Sequence, residues 1–243
     1  MNADRERILE AAAQLEHPDY RPALEALIEL KGGEWYIDEK FVQAPDEYQR
    51  RDNGRVLKYA YNFHLNGGDI EFLREENDAQ TPDLAVLVEG TTFYVEVRKF
   101  RINVTTDHQA AKISGQIKGK ASQLPVGSIG FVAIDNFSLK LESVGREMTY
   151  EHIFAALDEC QRAGTENPVG WRQPSGAVIS AHTSGGAWSG PISIPHFVWT
   201  NPHAEPRAPD WLARWVAGAL PDGQLLDISS QTTSLHPESS KDQ

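Results

Sequence analysis

The sequence predicts a mixed α/β fold, and three observations predict it. Segments with apolar residues at helical spacing alternate with short β-branched and aromatic runs. Two of those runs, 84–88 and 92–97, flank the turn Glu89-Gly90-Thr91 and read as a hairpin. A third, 130–134, is apolar at nearly every position, as a strand covered on both faces must be.

In chain order, Ile8, Ala11, Ala12 and Leu15 recur at helical spacing and predict a helix over 3–15, interrupted by Pro18. Leu24, Leu27, Ile28 and Leu30 predict a second helix over about 21–30, ended by Gly32-Gly33. The segment 34–43, EWYIDEKFVQ, fits a strand or an irregular stretch, and the charged stretch 44–54 fits a loop. Val56, Leu57, Ala60, Phe63 and Leu65 give 55–65 the apolar side of a helix. Gly67-Gly68 stops it, and a short strand follows at 70–73. After the hairpin, a helix over about 107–124 ends at Pro125. Beyond the strand at 130–134 come a helix over 150–162 and a loop over 163–175. Strands at 177–180 and 196–199 follow, separated by a glycine- and serine-rich loop at 183–190. The last helix spans 210–220 with Trp211, Leu212 and Trp215 on one side; the two tryptophans read as core rather than as a base-stacking platform. Residues 1–226 read as a single domain with its core over about 55–135, and 227–243 has the composition of a disordered tail.

Composition removes several function classes. The 243 residues contain no apolar run approaching the roughly 20 residues needed to span a bilayer. The N-terminus, MNADRERILE, lacks the apolar stretch of a secretory signal. A lone cysteine, Cys160, cannot close an internal disulfide or build a cysteine-based zinc site. These features point to a cytoplasmic chain with no membrane partner. None of the 8 histidines pair at the i, i+4 spacing of a zinc helix. There is no phosphate-loop lysine after the glycines at 185–190 and no G-x-S-x-G elbow. A net charge of −12 means that contact with nucleic acid would have to run through a local basic patch.

The hairpin carries the chemistry. A turn centred on Glu89-Gly90 sets Leu87 opposite Thr92, Ala85 opposite Tyr94 and Asp83 opposite Glu96. Directly opposed side chains stand about 5 Å apart at Cβ, so two carboxylates meet on one face. Like charges so close destabilise one another unless a cation neutralises them, and hard oxygen ligands suit Mg2+ or Mn2+. Strand parity puts Arg98 on the face of Glu96 and Lys99 on the other. Leu84, Val86, Val88, Phe93, Val95 and Val97 form the opposite, core-facing side. The plain alternative is a solvated hairpin end with a Glu96–Arg98 or Asp83–Arg98 ion pair.

The stretch TPDLAVLVEGTTFYVEVRKF resembles the core of the PD-(D/E)xK nuclease superfamily, in which Pro-Asp opens one strand and acid-x-Lys closes the next. The predicted order of helix, strand, hairpin, helix and strand over 55–134 is similar to that superfamily's restriction-endonuclease-like αβββαβ core. The N-terminal helices and the C-terminal α/β elements would elaborate it. The resemblance implies Asp83 and Glu96 as metal ligands, with Arg98 in the lysine position and all three catalytic. It implies a Mg2+- or Mn2+-dependent nuclease acting on DNA, with RNA as an alternative, and leaves a homodimer open. Two departures stand out. Arginine cannot lose its proton as a lysine can. And the helix RVLKYAYNFHL has no acid where many members carry a glutamate; Glu25 or Glu29 would have to substitute. These departures keep a second reading open: a non-catalytic module, binding nucleic acid or protein, with a degenerate site.

A basic stretch supports a nucleic-acid partner. Between residues 98 and 134 stand Arg98, Lys99, Arg101, Lys112, Lys118 and Lys120 against the single acid Asp107. On the helix, Ala110, Ile113, Ile117, Ala121 and Leu124 make the buried stripe, and Lys112, Gln116, Lys120 and Gln123 run beside it. Lysine and glutamine suit phosphate and sugar contacts, so Lys99, Lys112, Gln116 and Lys120 are the candidate backbone-binding residues.

Overall fold

The computed structural model of the protein describes residues 3–15, 21–74, 81–101, 109–137, 150–181 and 196–226. Its centre is one mixed sheet of 7 strands whose order in space is their order in the chain. The strands are β1 (Asp69–Phe72), β2 (Leu84–Val88), β3 (Thr91–Arg101), β4 (Ile129–Phe137), β5 (Gly176–Ala181), β6 (His196–Thr200) and β7 (Gly223–Leu226). The pairs β1–β2, β2–β3 and β5–β6 are antiparallel; β3–β4, β4–β5 and β6–β7 are parallel. Each parallel pair needs a crossover, and a helix supplies each one: α5 (Gln109–Ala121), α6 (Tyr150–Glu166) and α7 (Asp210–Ala219). Before the sheet come α1 (Ala3–Leu15), α2 (Arg21–Ile28), the single turn α3 (Gly33–Trp35) and α4 (Glu47–Leu65). The molecule is thus α/β with a mixed sheet, as its pattern predicts.

Strand parity divides the core in two. Leu84, Val86, Val88, Phe93, Val95, Val97, Phe131 and Ala133 pack with the apolar sides of α1, α2, α4 and α7. Val132, Ile134, Ala177 and Ile179, the alternate positions, pack with Ile113 and Ile117 of α5 and Ile153, Ala156 and Leu157 of α6. β4 is covered on both faces, which explains its unbroken apolar run. Trp215 stacks on Phe63 at 5.7 Å and meets Phe93 edge-on, so it belongs to the core. Trp211, expected beside it, is 37% exposed.

Several expectations are corrected. The segment 34–43 is not extended: α3 runs into a π-helical stretch, Tyr36–Val42, closed by the Gln43 N–H donating to the Asp38 carbonyl at 2.9 Å. Tyr36, Ile37 and Phe41 are its buried residues, a spacing that a β-rich composition disguises. Gly32 enters this turn at φ +80, and a Cβ there would collide with the Phe72 carbonyl oxygen. The charged stretch 44–54 is not a loop either. Asp46 caps α4 by accepting the Gln49 N–H at 2.8 Å, and the helix starts at Glu47. Its first buried positions are Asn53, Gly54 and Arg55, so no apolar periodicity announces them. The helix predicted over 150–162 runs on to Glu166, a 3-10 turn at Pro168–Trp171 interrupts the expected loop, and β7 is an additional strand. The loop at 183–190, the start of the helix at 107–108 and the tail at 227–243 lie outside the described residues. Among the described residues, no helix is long and apolar enough to cross a membrane.

Candidate active site

The hairpin turn sets the register. Glu89 and Gly90 both have positive φ, 48 and 78, as a two-residue turn matched to strand twist requires. Leu87 pairs with Thr92, Ala85 with Tyr94 and Leu84 with Val95. One step further along the ladder, Asp83 comes level with Glu96. Asp83 Oδ2 accepts the Val97 N–H at 2.8 Å, and its carboxyl is hydrogen-bonded to that of Glu96. The two acids therefore meet as the turn arithmetic predicts. Asp83 is half-buried, whereas Glu96 is only 1% exposed and lies on the α5 side of the sheet with Tyr94.

Two carboxyls sharing a hydrogen bond cannot both be ionised without cost. Burial and the neighbouring Asp83 push Glu96 up to about 8, against the pull of Arg98 and Lys120. Burial raises Asp83 to about 6, opposed by the Val97 N–H, Arg98 and the Glu96 hydrogen bond. The cations come from two elements. Arg98 Nε of β3 stands 2.7 Å from Glu96 Oε1, a close contact in which neither atom makes a well-aligned hydrogen bond. Lys120 Nζ of α5 is 3.9 Å from the same oxygen. Gln123 Oε1, just beyond α5, accepts from Arg98 Nη2 at 3.3 Å and from Lys120 Nζ at 3.4 Å, bridging the two. Burial and then the Arg98 charge lower the pKa of Lys120. The expected Glu96–Arg98 ion pair is present, but its acid is buried and not solvated.

The opposite wall belongs to α4 and the π-helical stretch. A narrow cavity of about 100 Å³ is lined by Asp83, Val97 and Arg98 on the sheet side and by Tyr36, Gln49, Asp52 and Asn53 on the helix side. Here the expectation of an acid-free helix is corrected: extended back to Glu47, it carries Asp52 into this cavity. Asp52 Oδ1 pairs at 3.0 Å with Nη1 of Arg55, a guanidinium only 1% exposed. Glu25 and Glu29, suggested as substitutes, are engaged in surface ion pairs with Arg21 and Arg5. Tyr36, buried beside Asp83 and Glu96, has its pKa raised well above the usual phenol value, by burial first and then by those acids.

Of the other candidates, Lys112 and Gln116 are half-buried on α5, about 12 and 6 Å back along the helix axis from Lys120. Lys99 follows Arg98 in β3; its side chain is outside what is described. Asp52, Gln123 and Tyr36 are not among the site residues the sequence singles out. Gln123 was visible as the end of the α5 polar edge, and Asp52 would have followed from reading Asp46 and Gln49 as a helix start. Asp83 and Glu96 could hold a divalent cation. Both offer hard oxygens, and Glu96 Oε1 is buried without an aligned donor. Mg2+ is commonly held by one or two carboxylates and keeps several waters. Among the described residues no three or more His, Cys, Asp or Glu side chains converge as a ligand set, so these two acids would be the protein's share. Compared with known proteins, the chain matches no protein-family model and no curated protein.

Proposed function

We propose that the chain is a metal-dependent phosphodiesterase acting on DNA, built on a restriction-endonuclease-like αβββαβ core. The observation that carries the reading is the buried Asp83–Glu96 carboxyl pair faced by Arg98 and Lys120. The succession α4, β1, β2, β3, α5, β4 supports it, since that order matches the core the resemblance implies. Asp83 and Glu96 would hold Mg2+ or Mn2+. When bound, the ion supplies an activated water and a positive charge against the scissile phosphate. Arg98, permanently charged, donates to a phosphate oxygen as negative charge develops there. Lys120, close to the pair and with a lowered pKa, is the group able to move a proton where Arg98 cannot. Lys112 and Gln116, with Lys99 of β3, hold the strand's backbone.

The test is incubation of supercoiled plasmid, linear duplex and an RNA transcript with the protein in Mg2+, Mn2+ or EDTA. Metal-dependent cleavage of DNA that disappears in Asp83→Asn and Glu96→Gln is expected. Cleavage surviving both substitutions refutes the site. A second reading, a non-catalytic module that binds nucleic acid or protein, is favoured by one observation: Arg98 already stands 2.7 Å from the Glu96 oxygen a metal would use. Nucleic-acid binding without cleavage, by wild type and by Arg98→Lys alike, decides for it.

A further inference from the structure

Resting on the metal site just described, we propose that Arg98 is a latch on it: in the metal-free protein its guanidinium occupies the Glu96 oxygen that a divalent cation must take, and the arriving cation drives it off toward the substrate phosphate.

Four observations carry this. The contested atom is one and the same, since Arg98 Nε lies 2.7 Å from Glu96 Oε1 and that oxygen has no other aligned donor. The contact is close but poorly aligned, so it forfeits much of the directional part of a charge-assisted bond. The partners differ in freedom: the Glu96 side chain is 2% exposed and fixed in the sheet, while that of Arg98 is 42% exposed. The arginine is therefore the partner that moves. A second anchorage waits beside it, because Nη2 already reaches Gln123 Oε1 at 3.3 Å. A cation on Oε1 would stand within a few ångströms of a guanidinium that cannot shed its proton, so the arginine has to leave. The same displacement would deliver it to the anion that the site works on. One side chain thereby keeps the carboxylate closed without metal and serves the phosphate once metal is in.

The experiment measures Mn2+ affinity by isothermal titration and electron paramagnetic resonance for wild type, Arg98→Ala and Arg98→Lys. It also follows the Arg98 Nε–H resonance, assigned by its loss in Arg98→Lys, through a Mg2+ titration. Arg98→Ala should bind Mn2+ about 10-fold more tightly or better, the scale set by removing one charge at contact distance. The Nε–H resonance should shift along the metal isotherm. If wild type binds Mn2+ and Arg98→Ala binds it equally or more weakly, the latch is overturned and the metal site stands. If Arg98→Ala binds more tightly while the resonance stays put, the effect is charge alone and the latch is again overturned. If neither wild type nor Arg98→Ala binds Mn2+, the metal-site reading itself fails, and the latch with it.

Discussion

Glu96→Gln isolates the cost of ionising a buried acid next to another acid. In the folded chain Glu96 holds its proton up to about 8, against an ordinary 4.5. At pH values between those two, the folded state binds a proton that the unfolded chain has released. Stability from this group is therefore complete below about 4.5 and is lost as the pH rises through 8. At 1.36 kcal/mol per pH unit the whole loss is about 5 kcal/mol. Glutamine keeps the shape, can still donate to Asp83 and never ionises. The metal-free variant should thus melt close to wild type at pH 5 and about 10–20 °C above it at pH 9, given roughly 2–4 °C per kcal/mol for a chain of this size. Differential scanning calorimetry in EDTA, at several pH values, reads this directly. Addition of Mg2+ should raise the melting temperature of wild type at pH 9 and leave Glu96→Gln unmoved. A melting difference that is the same at pH 5 and pH 9 would refute the reasoning, because it would mean that Glu96 ionises freely in the fold.

Three further outcomes are expected. Arg98→Lys should keep or raise cleavage, while Arg98→Ala loses about 10²-fold or more in single-turnover rate, the scale for removing one charge-stabilising donor. Lys120→Met, which preserves length and removes the amine, should depress the cleavage rate while Mn2+ affinity by titration stays equal or improves; an unchanged rate would remove Lys120 from the chemistry. Asp52→Ala should cost about 2 kcal/mol in urea unfolding, since it takes a charged partner from a guanidinium that is 1% exposed.

The parts of this molecule that were legible from sequence are those where polarity and geometry agree. The hairpin alternates so strictly that parity alone brought Asp83 to Glu96 and turned Val95 and Val97 toward the core. The stripe Ile113, Ile117, Ala121 and Leu124 is buried as its spacing requires. The failures share a cause. The first turns of α4 bury Asn53 and Arg55 in place of aliphatic residues, so hydrophobic periodicity was blind to them and Asp52 went unplaced. The π-helical stretch buries only Tyr36, Ile37 and Phe41, too few positions among β-branched and aromatic residues to mark a helix. By sequence alone Lys120 is one of several phosphate contacts along a basic edge. Only the packing of α5 against β3 and β4 singles it out from Lys112 by setting it beside Glu96.

The sequential strand order bears on how the site comes to exist. Every strand of the sheet pairs with its neighbours in the chain, so no closure in the sheet is longer than one crossover. Asp83 and Glu96 flank the tightest of these hairpins, whose strands are joined by Glu89 and Gly90 alone, whereas Lys120 reaches the pair only through the crossover helix α5. A nascent hairpin of this kind brings two like charges together with no cation yet beside them except Arg98, four strands' worth of chain before β7 completes the sheet. The arginine two positions along the same strand is a neutralising group whose arrival needs no further folding. Its placement in β3, and not on a later element, puts the compensating charge in the same strand as Glu96 itself.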